Sequence, residues 1–146
     1  MARQRWVNYA MSAVAGVSLC VSCTAMADGH LLYERIGAQD GIATVVDGFL
    51  GKVGADDRVN GRFAETDMPK LRGLLIEQVC EATGGPCKYS GKNMLDAHKG
   101  MNITEDEFGI IAAHFAAAML DAGVSAEDNG TIMGVLAGMH DDIVGQ

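Results

Sequence analysis

The chain is short of proline, of aromatic side chains and of positive charge. Two prolines in 146 residues exclude a proline-rich linker, and an apolar fraction of 49% excludes a disordered chain. Aromatics make up 5%, and the 19 glycines are scattered without the period of a fibrous repeat. Lys and Arg total 11 against 19 Asp and Glu, a formal net charge of −8. With no basic run, the phosphate contacts that carry nucleic-acid affinity cannot be assembled, so no nucleic-acid partner is expected. Four cysteines are too few for a disulfide scaffold and lack paired zinc-ligand spacing. The phosphate-cradling G-x-x-x-x-G-K-[ST], the nucleophile elbow G-x-S-x-G and the zinc motif H-E-x-x-H are all absent. No segment alternates as a strand would, and there is no internal repeat. At 15.3 kDa the chain supports one core, since two would each be marginal.

What is present begins with an export pattern over residues 1–27. Arg3 and Arg5 precede an uncharged stretch from Val7 to Cys23, and Ala25-Met26-Ala27 is an A-x-A cleavage site. A cleaved secretory signal is expected, leaving a periplasmic domain over 28–146 with no further run long enough to span a membrane. The first 27 residues hold two arginines and no acid, so their removal takes the charge to −10. Two other outcomes compete. The apolar core is long enough for an uncleaved membrane anchor. Cys23 could also be lipidated, although Cys20 stands where a lipoprotein signal usually carries an aliphatic residue. Export leaves Cys80 and Cys87 as a pair in an oxidising compartment, one at the end of a helical pattern and one past Gly84-Gly85-Pro86. A disulfide between them is expected; a redox-active pair is the alternative, but nothing here resembles C-x-x-C.

The remainder reads as helices. Ile42, Val45, Val46, Phe49, Leu50 and Val53 recur at helical spacing. Leu71, Leu74, Leu75, Val79 and Ala82 do so again, after an N-cap at Thr66 or Asp67 with Pro69 in the first turn. Thr104 and Glu107 form a capping box ahead of Phe108, Ile111, Ala112, Phe115 and Met119. Ser125 opens a last helix expected to present Ile132, Val135, Leu136, Met139 and Ile143 on one face. Residues 89–102 fit none of this: they are polar and Gly-rich, with one short apolar turn at Met94, Leu95, Ala97 and His98. Neighbouring helices or a ligand must hold them.

Four histidines remain to be weighed. His30 lies at the mature N-terminus, His114 within a helix, and His140 beside Asp141 and Asp142; solvated or structural roles account for all three. His98 stands apart because its segment has little else to anchor it. Imidazole is the commonest protein metal ligand, yet a single histidine leaves the ligand and structural readings both open.

Several motifs together resemble the group I truncated haemoglobins, the 2-on-2 globins, over residues 32 to about 143. They are Leu32-Tyr33-Glu34-Arg35-Ile36-Gly37, Val45-Val46-Asp47-Gly48-Phe49, Phe63-Ala64-Glu65-Thr66-Asp67-Met68, Gly84-Gly85-Pro86 with Tyr89-Ser90-Gly91, and Met94-Leu95-Asp96-Ala97-His98 followed by Ile103-Thr104. The resemblance implies an all-α 2-on-2 sandwich around haem b, with His98 as proximal ligand of a five-coordinate iron. It implies that Phe63 stacks on the porphyrin and that Met94, Ile111, Ile132 and Leu136 contact it. Lys70 and Tyr89 are candidates for the propionates. The weak segment is then expected to be ordered by clamping the haem and not by packing on itself.

By the same resemblance the distal pocket comprises Phe49, Leu50, Leu71, Leu75, Gln78 and Val79. Many group I members carry Tyr at the position of Leu50 and Gln at those of Leu71 and Leu75. Leucine at all three removes the donors that would hold bound dioxygen, leaving Gln78 as the nearest polar side chain. The expected function is therefore binding of O2, NO or CO, with NO or CO suiting an apolar pocket better than tight oxygen carriage or transport. An NO dioxygenase or haem peroxidase is the enzymatic alternative, and it would need a reductase or other electron donor.

Overall fold

The computed structural model describes residues 28–146; the expected signal over 1–27 lies outside them. Seven helices follow: α1 (Asp28–Arg35), α2 (Ala38–Gly54), α3 (Met68–Ala82), α4 (Met94–His98), α5 (Glu105–Asp121), α6 (Ala126–Ala137) and α7 (His140–Ile143), with a 3₁₀ turn at Asn60–Phe63. Among the described residues there is no strand, only a single parallel pairing of Ile103 with Val144. No described helix is long and apolar enough to cross a membrane.

The spine is α2. Its stripe of Ile42, Val45, Val46, Phe49 and Val53 is buried, and the helix packs on both α3 and α5. Phe49 meets Phe115 of α5 edge to face, with ring centroids 5.4 Å apart. Leu32 and Ile36 of α1, Ile76 and Cys80 of α3, Met119 of α5 and Ile132 of α6 complete the core. Arg35 donates Nε and Nη2 to Asp128 Oδ1 at 2.9 and 2.6 Å, tying α1 to α6. Ser125 caps α6 by accepting from Asp128 N. Thr104 and Glu107 close their capping box on α5, and Asp67 caps α3 by accepting from Lys70 N.

On α3 the deepest side chains are Ile76 and Cys80, with Thr83 at its C-cap; Leu71, Leu74, Leu75 and Val79 are half-buried, Leu75 and Val79 pack against the core, and Ala82 is exposed. Both faces of α3 are apolar, so periodicity alone cannot say which one α2 takes. The last helix is broken. The expectation of one face running from Ile132 to Ile143 is corrected: the helix stops at Ala137 with Gly138 as its cap and resumes at His140, Ile132 and Ile143 are buried, and Val135 is 40% exposed.

Cys80 and Cys87 are joined by a disulfide, their Cα atoms 5.7 Å apart. Gly85 between them is required, because a Cβ there would sit 2.6 Å from the Tyr33 ring and 2.7 Å from Cys80 Sγ. Closing so short a loop contributes about 2–3 kcal/mol by restricting the unfolded chain. Replacing both cysteines with serine should lower the unfolding free energy by about that amount. Chemical denaturation checks this, and an unchanged midpoint would contradict it.

Candidate functional site

Five residues make a helix too short to persist by itself, and α4 buries none of its side chains. It is held in place from both ends. Before it, Lys88 Nζ and Tyr89 N donate to Glu81 at 3.1 and 3.0 Å. Ser90 donates N and Oγ to Glu77 Oε2 at 2.9 and 2.6 Å. Asn93 caps the helix by accepting from Asp96 N. After it, Arg62 Nη1 donates to the Met101 carbonyl at 2.8 Å, while Nε and Nη2 take both oxygens of Glu107. That contact holds the Glu107 carboxyl down to about 2. Asn102 N donates to Gln146 O at 2.5 Å and Gly145 N to Ile103 O at 2.9 Å, and α4 packs on α7. The flanks of this segment are thus fastened to other elements, by carboxylates, an arginine, a disulfide and the C-terminus.

His98 is half-buried, and its Nδ1 lies 2.8 Å from the Met94 carbonyl oxygen. A carbonyl only accepts, so Nδ1 carries the proton and the neutral ring keeps its lone pair on Nε2. Half-buried apolar side chains include Phe63 at the end of the 3₁₀ turn, Leu71 and Leu75 on α3, Met94 on α4, Ile111 on α5 and Leu136 on α6; Phe63, Leu75, Ile111 and Leu136 pack against the core. Both α3 and α5 pack on α2, whereas neither packs extensively on α4. Leu50 is half-buried at the core edge. Phe49 and Ile132 are placed deeper, in the core itself. Val79 joins Ile132 along a narrow apolar gap lined also by Ile36, Val45 and Met119.

The polar candidates are placed differently from one another. Lys70 is exposed on the first turn of α3. Tyr89 donates its hydroxyl to the Lys92 carbonyl at 2.9 Å. Gln78 turns its amide nitrogen to Met94 Sδ at 3.5 Å and Met139 Sδ at 3.6 Å. Of the other histidines, His114 Nε2 is 2.7 Å from Asp56 Oδ2, and the Arg58 and His114 contacts hold Asp56 well below its usual range. His140 lies between Glu105 and Asp141, which raise its pKa. The side chain of His30 lies outside those described. Among the described residues no three His, Cys, Asp or Glu side chains gather as a metal site.

Sequence reasoning missed Arg62, Glu77, Glu81 and Glu107 as the residues that fix α4. The Arg62–Glu107 partners are 45 residues apart, and no local pattern links them. Met139 was legible only as one apolar residue of the last helix.

The helices are arranged as in the 2-on-2 globins, an all-α fold built to enclose a prosthetic group. The profile of the bacterial-like globins matches residues 31–144. The chain is 38% identical over 112 residues to a group 1 truncated haemoglobin of Mycolicibacterium paratuberculosis, covering 77% of this chain and 82% of that one. It is 35% identical over 115 residues to one from Tetrahymena thermophila, with 79% and 95% covered. The Fe(III) form of truncated haemoglobin from Tetrahymena pyriformis superposes with a TM-score of 0.76 at 33% identity, over 79% of this chain and 98% of that one. The chain belongs to the bacterial-like globin family, with group 1 truncated haemoglobins among its relatives. That family implies haem and the binding of small gaseous ligands.

Glu77 and Glu81 both titrate below the ordinary glutamate value of 4.5, through hydrogen bonds from Ser90 and from Tyr89 and Lys88 respectively. A depressed carboxyl pKa contributes stability above the unfolded value and loses it as pH falls through the folded one. Thermal midpoints of wild type and a Glu77→Gln, Glu81→Gln double variant should therefore differ at neutral pH and converge well below pH 4.5. A gap that persists in acid would contradict the assignment.

Proposed function

We propose that this chain is a haem b protein that binds diatomic gases at a five-coordinate iron, with His98 Nε2 as the proximal ligand. The carrying observation is the His98–Met94 hydrogen bond, which directs the Nδ1 proton to the carbonyl and so, in the neutral tautomer, puts the lone pair on Nε2. A lone imidazole does not hold a free metal ion, whereas a porphyrin brings the other ligands with it. Haem bound here supplies the iron at which a gas coordinates. Met94, Ile111 and Leu136 would press on its faces and edge, with Ile132 behind them, and Phe63 would stack on the porphyrin. Lys70 makes no ion pair among the described residues and suits a propionate. Tyr89 would have to release the Lys92 carbonyl to do the same.

The distal side is apolar in this reading. Leu50, Leu71 and Leu75 have nothing to donate, and both hydrogens of the Gln78 amide face sulfur. Such a pocket favours NO and CO over retained dioxygen. The partner of His98 is also a neutral carbonyl and not a carboxylate, which gives the ring little anionic character and argues against peroxidase chemistry. We further assign the chain to an exported, periplasmic setting, with cleavage after Ala27; a disulfide suits that compartment.

Replacing His98 with Ala should abolish normal haem retention, read from the ferrous spectrum of the purified protein. An unchanged spectrum would overturn the assignment, and replacing His114 or His140 should do far less. Leu50→Tyr should slow oxygen dissociation by roughly tenfold to a hundredfold, the effect of one hydrogen bond of about 1–3 kcal/mol, while altering CO binding much less. Stopped-flow mixing measures both. An unchanged oxygen rate would mean that the pocket already holds a donor.

A further inference from the structure

Gln78 lies on α3, and its amide nitrogen is within 3.6 Å of two sulfurs, Met94 Sδ on α4 and Met139 Sδ at the start of α7. A thioether accepts hydrogen bonds and donates none, so nitrogen and not oxygen must face both. The nitrogen has two hydrogens, and the two sulfurs take them. Met94 is also the residue whose carbonyl oxygen holds His98 Nδ1 at 2.8 Å. Two contacts in series therefore run from α3 to the histidine ring: amide to Met94 sulfur, then Met94 carbonyl to imidazole. Met139 is the N-cap residue of α7, the helix on which α4 packs. One amide thus reaches α4 directly and also reaches the element that supports it.

We propose that Gln78 is a positioning residue for His98, acting through Met94 and Met139, and not a donor to the bound gas. The proposal rests on the reading of His98 as proximal ligand. The Glu77, Glu81 and disulfide ties reach only the chain before α4, and no side chain of α4 itself is buried; the Gln78–Met94 contact is where α3 touches the helix that carries His98. A residue at position 78 that cannot donate frees Met94 to turn, and the carbonyl that sets the imidazole plane turns with its backbone. Each N–H···S contact is weak, so the consequence is angular: the histidine tilts relative to the iron while the fold persists.

The test uses the haem-loaded protein and compares wild type with Gln78→Leu, Gln78→Glu, Met94→Leu and the Gln78→Leu, Met94→Leu pair. Glutamate keeps the shape of glutamine but offers no hydrogen when ionised. Resonance Raman of the ferrous unliganded form reads the iron–histidine stretching band. Carbon-13 NMR of the CO-bound form reads the methionine methyl groups. Both single substitutions at 78 should shift the band and the Met94 and Met139 methyl resonances. Adding Gln78→Leu to Met94→Leu should shift the band less than Gln78→Leu does in the wild-type background, the mark of a path shared through Met94, with the remainder passing through Met139. Oxygen dissociation in the Gln78 variants should change by less than the roughly tenfold or more that losing a hydrogen bond to the gas would cause. A band and methyl resonances that do not move overturn the proposal, and a faster oxygen loss alongside them would make Gln78 the distal donor. A band that survives His98→Gly would instead overturn the proximal assignment itself, and this proposal with it.

Discussion

A helix of five residues cannot order itself, yet α4 carries His98. Everything that places this histidine has to come from elsewhere in the chain. The approach is fixed by the Cys80–Cys87 bond and by the carboxylates of Glu77 and Glu81 on α3. The exit is fixed by Arg62, which grips the Met101 carbonyl while anchored on Glu107 of α5. The C-terminal residues pair with 102 and 103, and α7 lies against the helix. These ties originate in α3, α5 and the chain end, and α3 and α5 are both seated on α2. The position of one imidazole is thus inherited from the packing of the α2 stripe.

The same packing decides what remains open. With Ile76 and Cys80 deepest in the core, α3 leaves Leu71, Leu74 and Leu75 half-buried. Fully burying one such side chain is worth about 1.5–3 kcal/mol, so several left half-covered amount to a large stabilisation still to be gained. A flat apolar ligand taken up against Leu71, Leu75, Ile111 and Leu136 would supply it, and its binding would add to the stability of the fold by mass action. On this account the disulfide and the carboxylate ties hold the approach to α4 in place, and the ligand completes the core.

Local rules made much of the helical framework legible. Asp67, the Thr104–Glu107 box and Ser125 act within one turn of their own backbone, and each caps the helix expected of it. The all-α fold followed from helical spacing together with the motif order of the 2-on-2 globins. Less legible were features decided by partners distant in sequence. Nothing near Arg62 announces Glu107, and nothing near Gln78 announces Met139. The apolar pattern on α3 could not say which of two faces met α2, and Gly138 alone did not reveal that the last helix would break. His98 by itself supported both a ligand and a structural role; in the structure its Nδ1 is held by the carbonyl of Met94, one turn earlier in the same helix, a contact whose rotamer the spacing alone does not fix.

The most direct measurement of the central claim is a titration of the haem-free chain with haem, followed in the Soret region. The account predicts a band that grows linearly and saturates at one haem per chain, because the proposed proximal ligand, His98, is a single imidazole. Absorbance that never saturates, as for haem adsorbed on an apolar surface, would contradict the account.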